Sequence, residues 1–129
     1  MSVALSDLAK ELLDAPTFVT FTTVNSDGSP QSTVLWVKRD GDDVLVSTVL
    51  GRVKPRNLDR DPRVSVVAFD PADPYRYVEI RGTATMTEDG GPELIQELSH
   101  KYDGKPFGAE GPDTRRVVVR VTPTRVRNR

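Results

Sequence analysis

The chain reads as a mainly β protein, a mainly antiparallel barrel or sheet of about six strands with helical caps. Three observations predict this. Runs rich in β-branched and aromatic residues recur along all 129 residues. The turn signals Asn25-Ser26-Asp27-Gly28 and Asp40-Gly41-Asp42-Asp43 join neighbouring runs as hairpins do. Regular strand–helix alternation, the mark of a doubly wound sheet, is missing.

Each element has its own signal. Residues 4–14 place Leu5, Leu8, Leu12 and Leu13 on one helical face, with Ser6 as cap and Pro16 as stop. Thr17–Val24 and Gln31–Lys38 form a hairpin across the first turn, and Val44–Val49 follows the second. Pro55 suits the first position of a short helix over 55–60, which makes Lys54 its cap; Asp61-Pro62 ends it. Val64–Phe69 is almost wholly apolar and reads as a central strand. Tyr75–Thr87 is longer, with Gly82 at a bulge or close approach. Gly90-Gly91-Pro92 opens a helix over Glu93–Tyr102. Residues 103–114, rich in Gly, Pro and Asp, read as a mobile loop. Val117–Val126 is the last strand, and Pro123 favours an edge or strand end.

Composition narrows the chemistry. The length fits one domain, 1–129. With no cysteine, disulfides and thiolate chemistry are excluded, and His100 as sole histidine rules out a histidine-rich metal centre. A mean hydropathy of −0.42 and 29% charged residues describe an ordinary soluble domain. No apolar run reaches the roughly 18 to 20 residues that span a bilayer. The N-terminus does not resemble a signal peptide, so a cytoplasmic location is the expectation. A net charge of −1 gives no general reason to expect nucleic acid or membrane as partner.

Against that neutral background, Val49–Ser65 crowds Arg52, Lys54, Arg56, Arg60 and Arg63 into one connection. A helix start with free N–H groups, flanked by guanidinium and ammonium groups, suits a phosphate or polycarboxylate. The alternative is a solvated loop in which Asp59 and Asp61 pair with the arginines, worth about 0–1 kcal/mol per pair. In the strand after Pro30, alternation puts Gln31, Thr33 and Leu35 on one face and Ser32, Val34 and Trp36 on the other. Such a strand can line a planar heterocycle, or Trp36 can simply fill core. Tyr75-Arg76-Tyr77 is either a pocket rim or an aromatic strand edge. Gly-rich phosphate loops are absent.

These segments carry a resemblance. The succession TFVTFTTVNSDGSPQSTVLWV, VLVSTVLGRVKPRNLDRDPRVSV and DPYRYVEIRGTA is similar to the flavin/deazaflavin oxidoreductase superfamily. Within it, the chain resembles the short actinobacterial, pyridoxamine-phosphate-oxidase-like split-barrel enzymes that use the deazaflavin coenzyme F420. The resemblance spans roughly residues 4–126. It implies a six-stranded antiparallel split β-barrel of the FMN-binding type, a homodimer, and coenzyme sites at the subunit interface. It implies that Gln31, Ser32, Thr33, Val34, Leu35 and Trp36 back the deazaflavin ring. Ser47 and Thr48 precede the tail-binding turn at Gly51, and Arg52, Lys54, Arg56 and Asn57 hold phosphate and oligoglutamate. Tyr75, Arg76 and Tyr77 approach the pocket, from the second subunit in the dimer. The C-terminal Arg127-Asn128-Arg129 lacks the Arg-x-His substrate element of the vitamin B6 oxidases.

The implied activity is hydride transfer from reduced F420 to an unsaturated small-molecule acceptor. The coenzyme carries the difficult chemistry. No catalytic side chain is assigned; Tyr77 or water supplies the proton. Two alternatives stand beside it: an FMN-dependent oxidase or reductase on the same fold, and a non-catalytic F420 carrier.

Overall fold

The computed structural model describes residues 1–128; Arg129, which ends the Arg127-Asn128-Arg129 terminus, lies outside them. Helix α1 spans Asp7–Asp14, and the Ser6 hydroxyl caps it by accepting from the Ala9 N–H at 3.2 Å. Strands β1 (Val19–Val24), β2 (Pro30–Leu35), β3 (Lys38–Asp40) and β4 (Asp43–Val49) follow. Then come α2 (Val53–Arg60), β5 (Arg63–Asp70), β6 (Asp73–Thr87), α3 (Gly91–Asp103) and β7 (Arg116–Asn128).

Every pairing is antiparallel, and the strand order is β2-β1-β5-β6-β7-β4-β3. The two edge strands, β2 and β3, are consecutive in the chain and separated only by Trp36 and Val37. The chain therefore ties one edge of the sheet to the other, which is the closure of a split barrel. Val19, Phe21, Val44, Val46, Val66, Val78, Ile80, Val119 and Val121 form its interior cluster, and Ala9, Leu12 and Leu13 of α1 join it. A second cluster sets Leu94 and Leu98 of α3 against Leu45 and Val118 on β4 and β7.

Three local expectations change. The Gln31–Lys38 strand breaks at Trp36–Val37, so the described residues form seven strands rather than six. At the break, side chains replace ladder partners. The Val37 N–H donates to the Tyr102 hydroxyl at 3.1 Å, and the Val37 carbonyl accepts from Lys101 Nζ at 2.6 Å. Helix α2 starts at Val53 with Arg52 as its cap, so Pro55 is its third residue rather than its first. Pro55 still falls in the first turn, where backbone N–H groups have no helical acceptor. Finally, β7 is an inner strand between β6 and β4. Its Pro123 is tolerated because it faces Gly82 at a register shift, where the ladder is already interrupted.

Candidate functional site

Between β4 and α2 the chain reverses at Gly51, whose φ of +98° suits glycine. Five cations follow, and the structure divides them. Arg63 donates to Asp61 at 2.7 and 3.0 Å, and those bonds hold the Asp61 carboxyl down to about 2. Arg60 donates to the Val24 carbonyl and, at 3.2 Å, to Asn57 Oδ1. Arg52, Lys54 and Arg56, like Arg60, have no carboxylate partner among the described residues. Lys54 is only 8% exposed, and its ammonium donates to Thr33 Oγ1 at 3.0 Å. Burial, and then the charge of Arg52, push its pKa below the usual lysine value. A buried ammonium facing a neutral hydroxyl is poorly compensated, so an arriving anion meets a favourable field.

Asn57 is buried and fully engaged within the chain. Its Nδ2 donates to Thr23 Oγ1 and Asn25 Oδ1, both at 2.9 Å, and Thr23 donates on to Gln31 Oε1 at 2.7 Å. The side chains of Asn57 and Gln31 thus build the corner that holds α2 against the β1–β2 hairpin. Beside them opens a polar cleft of about 490 Å³, lined by Asn25, Ser26, Asp27, Val53, Arg56 and Arg60 among others.

A second cleft, of about 280 Å³, is more apolar. One wall is Val34, Leu35 and Trp36; Phe18, Ile95, Leu98 and Phe107 complete the apolar lining, and Ser47, Arg52 and Arg116 supply its polar groups. Trp36 stacks on Tyr102 with centroids 5.4 Å apart and planes 9° apart, while Phe107 meets it edge-on at 6.5 Å. The Tyr102 hydroxyl donates to the Thr17 carbonyl at 2.6 Å, and burial raises its pKa. The loop before Arg116 is irregular, as expected, yet it is tied down. Ser99 donates to the Lys105 carbonyl at 2.7 Å, and Gln96 Oε1 accepts from the Phe107 N–H at 3.0 Å.

The residues singled out in the sequence thus fall into groups. Val34, Leu35, Trp36, Ser47 and Arg52 share the aromatic cleft, and Arg56 and Asn57 line the polar one. Thr33 receives Lys54; Ser32 is exposed and bonds Thr22 at 2.9 Å; Thr48 is buried on the β4 face of Val44 and Val46. Tyr75, Arg76 and Tyr77 lie elsewhere. They start β6, where Arg76 donates to Asp70 at 2.6 Å and to Glu11 at 3.0 Å. Neither cleft is lined by Tyr75, Arg76 or Tyr77. The sequence reading missed Phe18, Phe107 and Arg116. Only the β4–β7 register, which sets Arg116 opposite Val49, brings Arg116 to the cleft.

The fold is an antiparallel split barrel with a cationic turn beside an aromatic cleft, and its similarities are to oxidoreductase-type proteins. The chain belongs to the pyridoxamine 5'-phosphate oxidase family, whose profile matches residues 5–129. Among solved structures it is similar to an F420 reductase, at 31% identity and a TM-score of 0.83, over 92% of this chain and 94% of that one. It is also similar to a conserved hypothetical protein from Mycobacterium tuberculosis, at 25% identity and a TM-score of 0.79, over 98% and 85% of the two chains. General Stress Protein 26 from Bacillus anthracis, at 19% identity, shares the fold, with a TM-score of 0.74 over 95% and 91%. No protein of curated function matches the chain. Among the described residues, no helix is long and apolar enough to cross a membrane, and no group of three acidic or histidine side chains is arranged to hold a metal.

Proposed function

We propose that the chain is an F420-dependent reductase that delivers a hydride from the reduced deazaflavin to an unsaturated small-molecule acceptor, working as a homodimer. The observation that carries this reading is the set of three cations without carboxylate partners at the start of α2, one of them buried. Such a set suits a ligand with several negative charges, and Arg with Lys provides both bidentate and point-charge contacts. The similarity to an F420 reductase supports the same choice.

When bound, the deazaflavin supplies the hydride. The protein's part is to bind and orient. Arg52, Lys54 and Arg56 hold phosphate and glutamate carboxylates, while Val34 and Leu35 offer apolar contact to a planar ring. Holding ring and acceptor at about 3–3.5 Å is the geometric contribution to rate. The Tyr102 hydroxyl donates to the Thr17 carbonyl, which commits its proton within the chain. Tyr77 of a second copy, or water, supplies the proton to the acceptor.

Family membership favours FMN as the second reading, since FMN also presents a phosphate. Titration of the protein with F420 and, separately, with FMN tests both. Lys54→Ala combined with Arg56→Ala is expected to weaken binding of the preferred coenzyme about a hundredfold or more, at about 1.5–3 kcal/mol per charged hydrogen bond, with the circular dichroism spectrum unchanged. Unchanged affinity in the folded double variant would reject the anion site. Tighter binding of FMN than of F420 would move the chain to the flavin reading.

A further inference from the structure

Arg116 belongs to neither the basic turn nor the barrel core, yet its side chain is nine-tenths buried, at 10% exposure. It leaves β7 beneath the loop that precedes it. Its Nε donates to Glu110 Oε1 at 2.9 Å, its Nη1 makes a long contact of 3.4 Å to Ser47 Oγ, and its guanidinium lies 5.2 Å over the Phe107 ring. No acceptor among the described residues takes Nη2, although Arg116 lines the aromatic cleft. A guanidinium is built to bind a carboxylate with two parallel bonds, and Glu110 uses only one of its donors. The Ser47 hydroxyl beside it can donate as well as accept. Stacked aromatic walls next to such a group suit a flat, conjugated skeleton.

We propose that Arg116, with Ser47, is a carboxylate receptor at the α3 end of the aromatic cleft, and that its ligand is a planar, conjugated carboxylate whose ring lies against Trp36 and Phe107. The inference deepens the hydride-transfer reading by naming the acceptor class: an unsaturated bond conjugated to a ring and carrying a carboxylate. Glu110 is then an internal competitor, occupying part of the guanidinium until the ligand's carboxylate takes the remaining donors. Lys54 and Arg56 stay available for the coenzyme, because neither lines this cleft, which of the α2 cations only Arg52 reaches.

The chain has one tryptophan, so a single indole N–H resonance reports on this cleft without any coenzyme. The probes are cinnamate and cinnamamide, which share ring and double bond and differ in charge. Wild-type protein is expected to bind cinnamate about tenfold more tightly than cinnamamide, as loss of a charge-assisted pair implies, with the Trp36 resonance shifting. Glu110→Gln is expected to tighten cinnamate several-fold and leave cinnamamide unchanged. Arg116→Met is expected to erase the difference between the two. Equal affinities in the wild type, a Trp36 resonance silent to both probes, or a preference that survives in folded Arg116→Met would overturn the proposal. Should Arg116→Met fail to fold, Glu110→Gln decides: no gain for cinnamate overturns it. The coenzyme titrations separate the two claims. A carboxylate preference without F420 or FMN binding upholds the receptor and rejects the reductase; coenzyme binding without that preference does the reverse.

Discussion

Lys101 carries a charge into half-buried ground between α1 and the break in the barrel edge. Its Nζ donates to the Leu13 and Val37 carbonyls, each at 2.6 Å, which joins the end of a helix to the crossover residue. Burial lowers its pKa from 10.5 to about 8. Between those values the unfolded chain holds a proton that the folded chain has released. Stability therefore rises with pH through that window, and the contribution is flat below pH 8. Lys101→Met cannot titrate, so urea midpoints of wild type and variant should diverge in favour of the wild type from pH 8 to pH 10. Parallel curves would show that the folded amine keeps its proton. Little of this was readable beforehand, because Lys101 looks like any helix-surface lysine until the fold sets α3 against Val37. Lys54 was more legible. Its neighbours in sequence are cations, and local charge density survives folding, whereas Arg116 depends on a strand register that no local pattern encodes.

At the scale of elements, glycine and capping positions set how closely the pieces meet. A Cβ at Gly91 would overlap the backbone carbonyl of Arg116, so only glycine lets α3 start this close to β7. Gly91→Ala must push the helix away and loosen the packing of Leu94 and Leu98 on Leu45 and Val118. The expected loss is about 1–3 kcal/mol, the usual cost of overpacking, read as a lower urea midpoint. An unchanged midpoint would mean that α3 moves without cost. Ser6→Ala should cost about 1 kcal/mol through the lost cap of α1. The cap at Ser6 and the two hairpin turns were legible because each is a local chemical signal. The start of α2 lies two residues before the position Pro55 suggests, because proline is tolerated throughout a first turn, not only at its first position. The break at Trp36–Val37 was hidden because both residues suit a strand, and tertiary closure overrides that propensity.

Across the whole molecule, antiparallel order followed from the hairpin turns and the missing strand–helix alternation, but neither signal says what covers the outer face. Register places Val34, Thr20, Val67 and Glu79 in one outward row across β2, β1, β5 and β6, and Phe69 beside Tyr77 further along. Val34 is 67% exposed, and Phe69 and Tyr77 are also exposed. Partly apolar, this surface suits burial against a second copy. The same arrangement gives the Tyr75–Tyr77 segment a use. It lines neither cleft of its own chain, so a two-fold partner is a route by which it meets such a site. Phe69→Arg tests the two together, because it charges the outer face while leaving every α2 cation in place. In sedimentation equilibrium the wild type is expected at twice its 14.3 kDa chain mass and the variant at that mass, with unchanged circular dichroism. If the partner completes the site, the monomeric variant also binds F420 or FMN about tenfold or more weakly, since contacts worth at least about 1.4 kcal/mol leave with the second copy. A monomer with undiminished affinity would confine the site to one chain and leave Tyr75–Tyr77 to structure alone. A variant that stays dimeric would move the interface to another face.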